Sequence, residues 1–245
     1  MTAVGRFATS VAMKPPVVAL DRLDIVFAPR RWPFAHERRA EIDAHFAERR
    51  TRWPQMWNGR ILLTGADYRI ADRSLSGTCF EADFASLLAW RDWGFPDTSA
   101  VNCFAMGALR SRDGAFLLGV MGAHTANAGR VYFPAGTPEP ADIVDGRLDL
   151  AGSVAREIAE ETGLTADDYV ASPEWHVVRV DARLAAIKLL AVDAPALELQ
   201  RKVQDFLAGE TNPELSGIRI VRGPGDFDGR MPPFVIAYLD HCLRG

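Results

Sequence analysis

Cysteine and histidine are scarce: three of one and five of the other among 245 residues. Cys79, Cys103 and Cys242 are odd in number and far apart, which argues against a disulfide framework and offers no zinc-binding spacing. Such thiols suit a reducing cytoplasm, the expected location. No apolar run reaches membrane-spanning length. The opening MTAVGRFATSVAMKPPVVAL has no long apolar core of the kind a secretion signal carries. A dominant charge is lacking too. Twenty-eight Lys and Arg stand against 32 Asp and Glu, so a net charge of −4 exerts no global pull toward nucleic acid or an anionic membrane. Any recognition of phosphate must be local. Internal repeats and low-complexity tracts are also missing.

What is present is an apolar fraction of 48%, enough for one large domain or two small ones. Residues 17–28 read as a strand, 34–51 as a helix, and 60–82 as short strands after the turn WNG (57–59). FEADFASLLAWRDWG (80–94) reads as an amphipathic helix stopped by Gly94 and Pro96. A boundary near residue 97 divides an N-terminal α+β region (1–97) from a second unit (98–245). In that unit VNCFAMGAL (101–109) and AFLLGVMG (115–122) read as strands joined by SRDG. A Gly- and Pro-rich loop follows. A helix is expected over 150–162, with Asp149 as N-cap and Gly163 as stop. Strands at 175–181, 184–192 and 217–222 and helices at 195–208 and 232–243 complete the pattern. Without regular βαβ alternation, this is α+β or a three-layer sandwich rather than a Rossmann sheet.

The stretch REIAEETGL (156–164) carries the chemistry. On a helix, Glu157, Glu160 and Glu161 fall within an arc of about 100° beside an apolar face. Three carboxylates this close repel unless a cation neutralises them. Arg156 can hold one of them but cannot neutralise three. A solvated acidic face is the bland alternative. The full pattern of fixed residues has a chance occurrence on the order of 10⁻⁵ from average composition, which outweighs it.

This stretch resembles the Nudix box, G-x5-E-x7-R-E-U-x-E-E-x-G-U with U aliphatic. Arg156, Glu157, Ile158, Glu160, Glu161, Gly163 and Leu164 match its second half. The first half departs. FPAG (133–136) resembles the family's FPGG entry, with Gly136 as its first glycine, but the acidic position falls to Asp142 or to Asp149, and the loop is longer by about half a dozen residues. The resemblance implies a Nudix fold, an α/β/α sandwich around a mixed sheet, over roughly 98–243, with the extra N-terminal α+β region before it. It implies magnesium-dependent hydrolysis of a nucleoside diphosphate linked to a moiety X, with manganese as an alternative ion. By position, Glu157 and Glu161 are the principal metal ligands, Glu160 shares a second metal or its water shell, and Arg156 orients the glutamates. The backbone carbonyl of Ala135 or Gly136 adds an oxygen. In such proteins the base often lies on a later loop. Glu210 and Glu214 in GETNPELSG are the candidates, Glu214 being favoured, with Glu160 or Glu161 able to serve instead. Arg130 and Gly136 are candidate substrate contacts.

For the substrate, WPQMWNGRILL (53–63), DFASLLAWRDWGF (83–95) and YFPAGTPEP (132–140) are similar to the UDP-glucose/UDP-galactose pyrophosphatase branch. GRVYFPAGTPEPAD (129–142) is similar to coenzyme A pyrophosphatases, and ADP-ribose stays open. The other class is a Nudix domain that binds a nucleotide without cleaving it, as a sensor. The expected partner is a small-molecule nucleotide, with neither nucleic acid nor membrane. The N-terminal region caps the site, forms a homodimer, or does both. Trp57, Trp90 and Trp93 either stack on a base or fill the core. His124 and Lys188 either reach a ligand or face solvent.

Overall fold

The computed structural model describes residues 14–244. Residues 1–13 of the opening stretch, read above for a secretion signal, lie outside them. In chain order the elements are β1 (Val17–Leu20), β2 (Arg22–Phe27), α1 (Pro33–Glu37), α2 (Arg39–Arg52), β3 (Arg60–Gly65), β4 (Arg69–Ala71), β5 (Ser74–Asp83) and α3 (Phe84–Asp92). Then come β6 (Ala100–Ser111), β7 (Phe116–Met121), β8 (Val131–Tyr132), β9 (Ala135–Gly136), β10 (Ile143–Val144), β11 (Arg147–Leu148) and α4 (Leu150–Thr162). β12 (Val170–Val180), β13 (Arg183–Val192), α5 (Ala196–Gly209), β14 (Leu215–Val221) and α6 (Pro233–Arg244) follow.

Three expectations are corrected. The strand over 17–28 is two, because the chain breaks at Asp21, whose N–H donates to the Arg73 carbonyl at 2.7 Å. Its halves then join different partners: β1 runs antiparallel to β12, β2 parallel to β5. The helix over 34–51 breaks at Arg38. Helix α3 begins only at Phe84. FEAD alternates as a strand, pairing Phe80 with Leu63 and Ala82 with Ile61, and Asp83 caps the helix by accepting the Ser86 N–H at 3.0 Å.

Strand β6 joins everything. It pairs in parallel with β13 and antiparallel with β7 and β9, and at its start it meets β3. Alternate residues of the central strands point to opposite faces. Ala105, Leu109, Leu184, Ala186 and Leu190 enter one core, with Val154 and Ile158 of α4 and Leu199 and Val203 of α5. Met106, Ala108, Ala185 and Ile187 enter another, with Phe234, Val235, Tyr238 and Leu239 of α6. The sheet is thus mixed and covered on both faces, the three-layer arrangement expected. A third cluster, around Trp32, Phe80 and Trp90, ties α2 and α3 to β3 and β5.

The lengthened loop is not irregular. Asp145 and Gly146 both take positive φ (49° and 75°), as a two-residue hairpin turn demands, and join β10 to β11. Strand β11 then meets β2, with Arg147 opposite Val26 and ion-paired to Asp24. The extra residues therefore extend the N-terminal sheet.

Helix α4 seats on β6 at Gly107. A Cβ there would lie 2.7 Å from Ile158 Cδ1 and 3.0 Å from Leu190 Cδ1. Gly107→Ala is expected to lower stability by about 1–3 kcal/mol through overpacking, read as the shift in a urea unfolding midpoint. An unchanged midpoint would mean that α4 sits less closely on the sheet.

Candidate active site

Helix α4 starts and stops where its sequence says. The Asp149 carboxylate accepts the N–H groups of Ala151 (3.1 Å) and Gly152 (2.9 Å), and Gly163 ends the helix at φ 70°. Leu150, Val154 and Ile158 bury one stripe. The 3.6-residue period then carries Glu157 and Glu161 inward beside it, 9% and 5% exposed. Glu160 stays on the rim with 61% of its side chain exposed. The three glutamates of the motif thus divide into two buried and one solvated.

Arg156 organises them. One guanidinium nitrogen donates to Glu157 Oε1 at 2.7 Å and to Glu160 Oε2 at 3.4 Å, and the other reaches both oxygens of Asp142 at 3.3–3.4 Å. Of the two acids left open by the sequence, Asp142 is the one that joins the cluster, while Asp149 is engaged as the cap. Asp142 is itself fixed by the Glu139 N–H at 2.9 Å.

The floor is β9. Its residues Ala135 and Gly136 lie opposite Met106 and Ala105 of β6. A Cβ on Gly136 would overlap the Glu157 carboxylate, so any other residue there would displace that carboxylate. Among the described residues, no hydrogen bond of good geometry reaches either oxygen of Glu161, although the Ala135 backbone N–H is near it. Burial, then the charges of Glu157 and Glu214, push its carboxyl up to about 9, against the Ala135 backbone, which favours the ionised form. Burial raises Glu157 to about 7, with Arg156 opposing and Glu160 and Glu214 adding to the shift. Glu214 is exposed just before β14, its carbonyl accepting the Gly122 N–H at 2.7 Å, and its charge is felt by Glu157, Glu161 and Tyr132. Glu210 terminates α5, and its charge is not among the causes of these shifts.

Among the described residues, no three His, Cys, Asp or Glu side chains gather tightly enough to grip a metal ion. Arg156 holds Glu157 and Glu160 to its own side. The donor chemistry nevertheless fits a hard divalent cation: oxygen ligands only, two inward carboxylates, and one of them with both oxygens unpartnered.

Beside β9 lies a cavity of about 690 Å³. Arg130, Tyr132, Ala135 and Gly136 line it from the second part of the chain, and Trp53 and Phe84 from the first. Arg130 also donates to the Gly229 carbonyl at 3.4 Å. The expected tryptophans are elsewhere. Trp90 is fully buried and donates to the Asp97 carbonyl at 2.9 Å, Trp93 packs edge-on against Phe34, and Trp57 is 78% exposed. Trp53, which opens the WPQMWNGRILL stretch and is not among the three tryptophans expected to stack, lies in the cavity wall. The His124 carbonyl accepts from Gln55 at 3.0 Å, and Lys188 lies 4.3 Å from the Trp175 ring centre. Neither lines the cavity.

The raised carboxyls set a pH dependence. Groups whose folded pKa exceeds the ordinary 4.5 contribute stability that is full below it and is lost as pH rises through about 7 and then about 9. With EDTA present, Tm is expected to fall over that window. Magnesium should raise Tm more at about pH 8.5 than at about pH 5.5, because a cation favours the ionised pair. An equal magnesium effect at both pH values would remove the carboxylate site.

No family model matches the sequence, and no curated protein matches it. Solved structures do. A Nudix hydrolase from M. smegmatis, RenU, is 13% identical, covering 57% of this chain and 80% of its own, with a TM-score of 0.37. A MutT protein from Methanosarcina mazei is 18% identical, covering 59% and 94%, with a TM-score of 0.34. A bifunctional NMN adenylyltransferase/ADP ribose pyrophosphatase from Francisella tularensis is 14% identical, covering 64% of this chain but 45% of its own, with a TM-score of 0.43. At such identities and TM-scores these matches carry no chemistry over to this chain, which must be read from its own side chains.

Proposed function

We propose that the chain is a Nudix-type pyrophosphohydrolase that cleaves a nucleoside diphosphate linked to a second moiety X. One observation carries this reading: two buried carboxylates stand one helical turn apart, Glu157 against the Gly136 backbone and sharing Arg156, and Glu161 without an ion-pair partner among the described residues. Burying an unpaired acid beside a second one is unfavourable unless a further cation joins them.

Glu157 and Glu161 would hold magnesium or manganese, with Glu160 from the rim and the carbonyl of Ala135 or Gly136. When bound, such an ion offsets the diphosphate charge and lowers the pKa of a coordinated water. Arg156 keeps the glutamates oriented through the Glu157, Glu160 and Asp142 bonds. Glu214, whose charge already reaches both buried acids, takes the proton of the attacking water, with Glu160 or Glu161 as the alternative base. Arg130 and the Gly136 backbone meet the diphosphate. Water adds to one phosphorus and the bridging P–O bond breaks, leaving a nucleoside monophosphate and the phosphate of X.

Residues 98–245 are proposed as the hydrolase unit and 1–97 as a recognition or dimerising region. The sequence likeness at 53–63 and 132–140 supports a UDP-sugar substrate, and that at 129–142 supports coenzyme A. The three thiols are free and no described helix is long and apolar enough to cross a membrane. Free thiols suit the cytoplasmic location proposed here.

A phosphate-release screen with magnesium tests the reading, over UDP-glucose, UDP-galactose, coenzyme A, ADP-ribose and NADH. Glu161→Gln is expected to lower turnover by about 10²-fold or more while the near-ultraviolet circular dichroism stays native. Near-normal turnover would take Glu161 out of the mechanism. Nucleotide binding without any turnover would favour the sensor. Asp149→Ala provides a contrast. It is expected to lower stability by about 1 kcal/mol through the lost cap and to spare turnover measured well below the unfolding temperature, whereas Asp142→Ala should lower turnover by releasing Arg156.

A further inference from the structure

The cavity beside β9 holds more positive charge than a diphosphate at the carboxylate helix requires. Four arginines line it: Arg52 at the end of α2, Arg91 in α3, Arg130 before β8, and Arg183 opening β13. No Asp or Glu is in the lining. Two of the four have an acid nearby, Arg91 with Asp92 at 3.2 Å and Arg183 with Asp181 at 3.0 Å. Arg52 and Arg130 have no acidic partner among the described residues. Arg52 stacks on Trp53 at 4.9 Å, and Arg130 has its bond to a backbone carbonyl. Guanidiniums sharing one concave, partly apolar space repel one another, and an anion relieves that repulsion with directed, charge-assisted bonds.

The lining holds no acid, while Glu157 lies on α4 against β9, whose Ala135 and Gly136 belong to the cavity wall. Tyr132, another lining residue with its hydroxyl bonded to Asn127 at 3.1 Å, feels charge of both signs, from Glu161 and Glu214 and from Arg91. If the diphosphate lies by the acids with its ion and meets Arg130, as in the function proposed above, the other three arginines need a different anion. Two of them, Arg52 and Arg91, come from the N-terminal region, along with the aromatic walls Trp53 and Phe84.

We propose that Arg52 and Arg91 of the N-terminal region, with Arg183, form a second anion subsite in this cavity, beside Arg130, which meets the diphosphate. The ligand it takes is a nucleotide conjugate bearing a phosphoryl or carboxylate group in addition to its scissile diphosphate. The N-terminal region is then a specificity element, and a neutral X is the poorer ligand.

Two ligand pairs that each differ by one anionic group test this, titrated by isothermal calorimetry with metal chelated so that no turnover is needed. The pairs are UDP-glucose against UDP-glucuronate, and AMP against adenosine 3′,5′-bisphosphate. The first probes a carboxylate on X and the second a phosphoryl on the nucleoside. The charged member of at least one pair is expected to bind about tenfold or more tightly, with the advantage reduced to near parity in Arg52→Ala and in Arg91→Ala. Arg52→Gln, which keeps a polar side chain on an exposed position, should lose the same advantage. Equal affinities within both pairs would overturn the proposal. So would an advantage that survives the substitutions. Loss of hydrolysis in the magnesium screen with charge-selective binding intact would remove the hydrolase reading and leave the subsite standing.

Discussion

The architecture around α4 depends on bringing a backbone against a carboxylate. Gly136 leaves room for the Glu157 carboxylate where it lies, and Gly107 leaves room for the Ile158 and Leu190 side chains where α4 meets β6. Two absent Cβ atoms thus favour the seating of the helix close to the sheet, and that seating shapes the electrostatics. Glu157 and Glu161 are forced out of water and their proton affinities rise. Position on the helix adds to the cost. Both acids stand in its C-terminal half, near the negative end of the helix dipole, and the last turn carries no basic residue. An exposed helix evolving for stability alone would place acids at the other end. Arg156 supplies partial compensation, but its two nitrogens are shared among Glu157, Glu160 and Asp142, and Glu161 is left with none.

Much of this was legible in the sequence because it is local. The α4 boundaries follow from Asp149, the apolar spacing and Gly163, and they stand at the residues expected. The mixed sheet with helices on both faces follows from the order of elements. The misplaced boundaries have a shared cause. FEAD was read into the helix that follows it because its residues tolerate either state, and what decides is pairing with β3, twenty residues earlier. The division of 17–28 likewise depends on pairing partners 52 and 155–161 residues away, which no local pattern encodes.

The site itself was half legible. Spacing identified the three glutamates but could not say that Glu160 turns outward, since an arc of helix surface has no sign until its packing partner is known. Asp142 and Asp149 both stand open as the first acid of the motif, although Asp149 is also the expected N-cap. They separate only because a helix start uses the nearest carboxylate for its own N–H groups, which leaves the farther one free to reach Arg156. The cavity was hidden altogether. Arg52, Arg91 and Arg183 belong to no motif, and they meet through β6, which pairs with both β3 and β13.

A net charge of −4 conceals this organisation. Read as a total, it excludes a general attraction for polyanions. Resolved in space, the same chain holds buried acids along one helix face and four arginines in a cavity that shares Ala135 and Gly136 of β9 as part of its wall. Charges of opposite sign so near each other would collapse into ion pairs if side chains could reach. Among the described residues they do not: Arg156 bonds only within the acidic group, Arg91 and Arg183 pair with Asp92 and Asp181, Arg130 bonds to a backbone carbonyl, and Arg52 stacks on Trp53. Both groups are thereby left available to a ligand. A small polar molecule carrying a bound cation at one end and further negative charge at the other matches that distribution. The fold reaches it by letting one central strand serve both sheets.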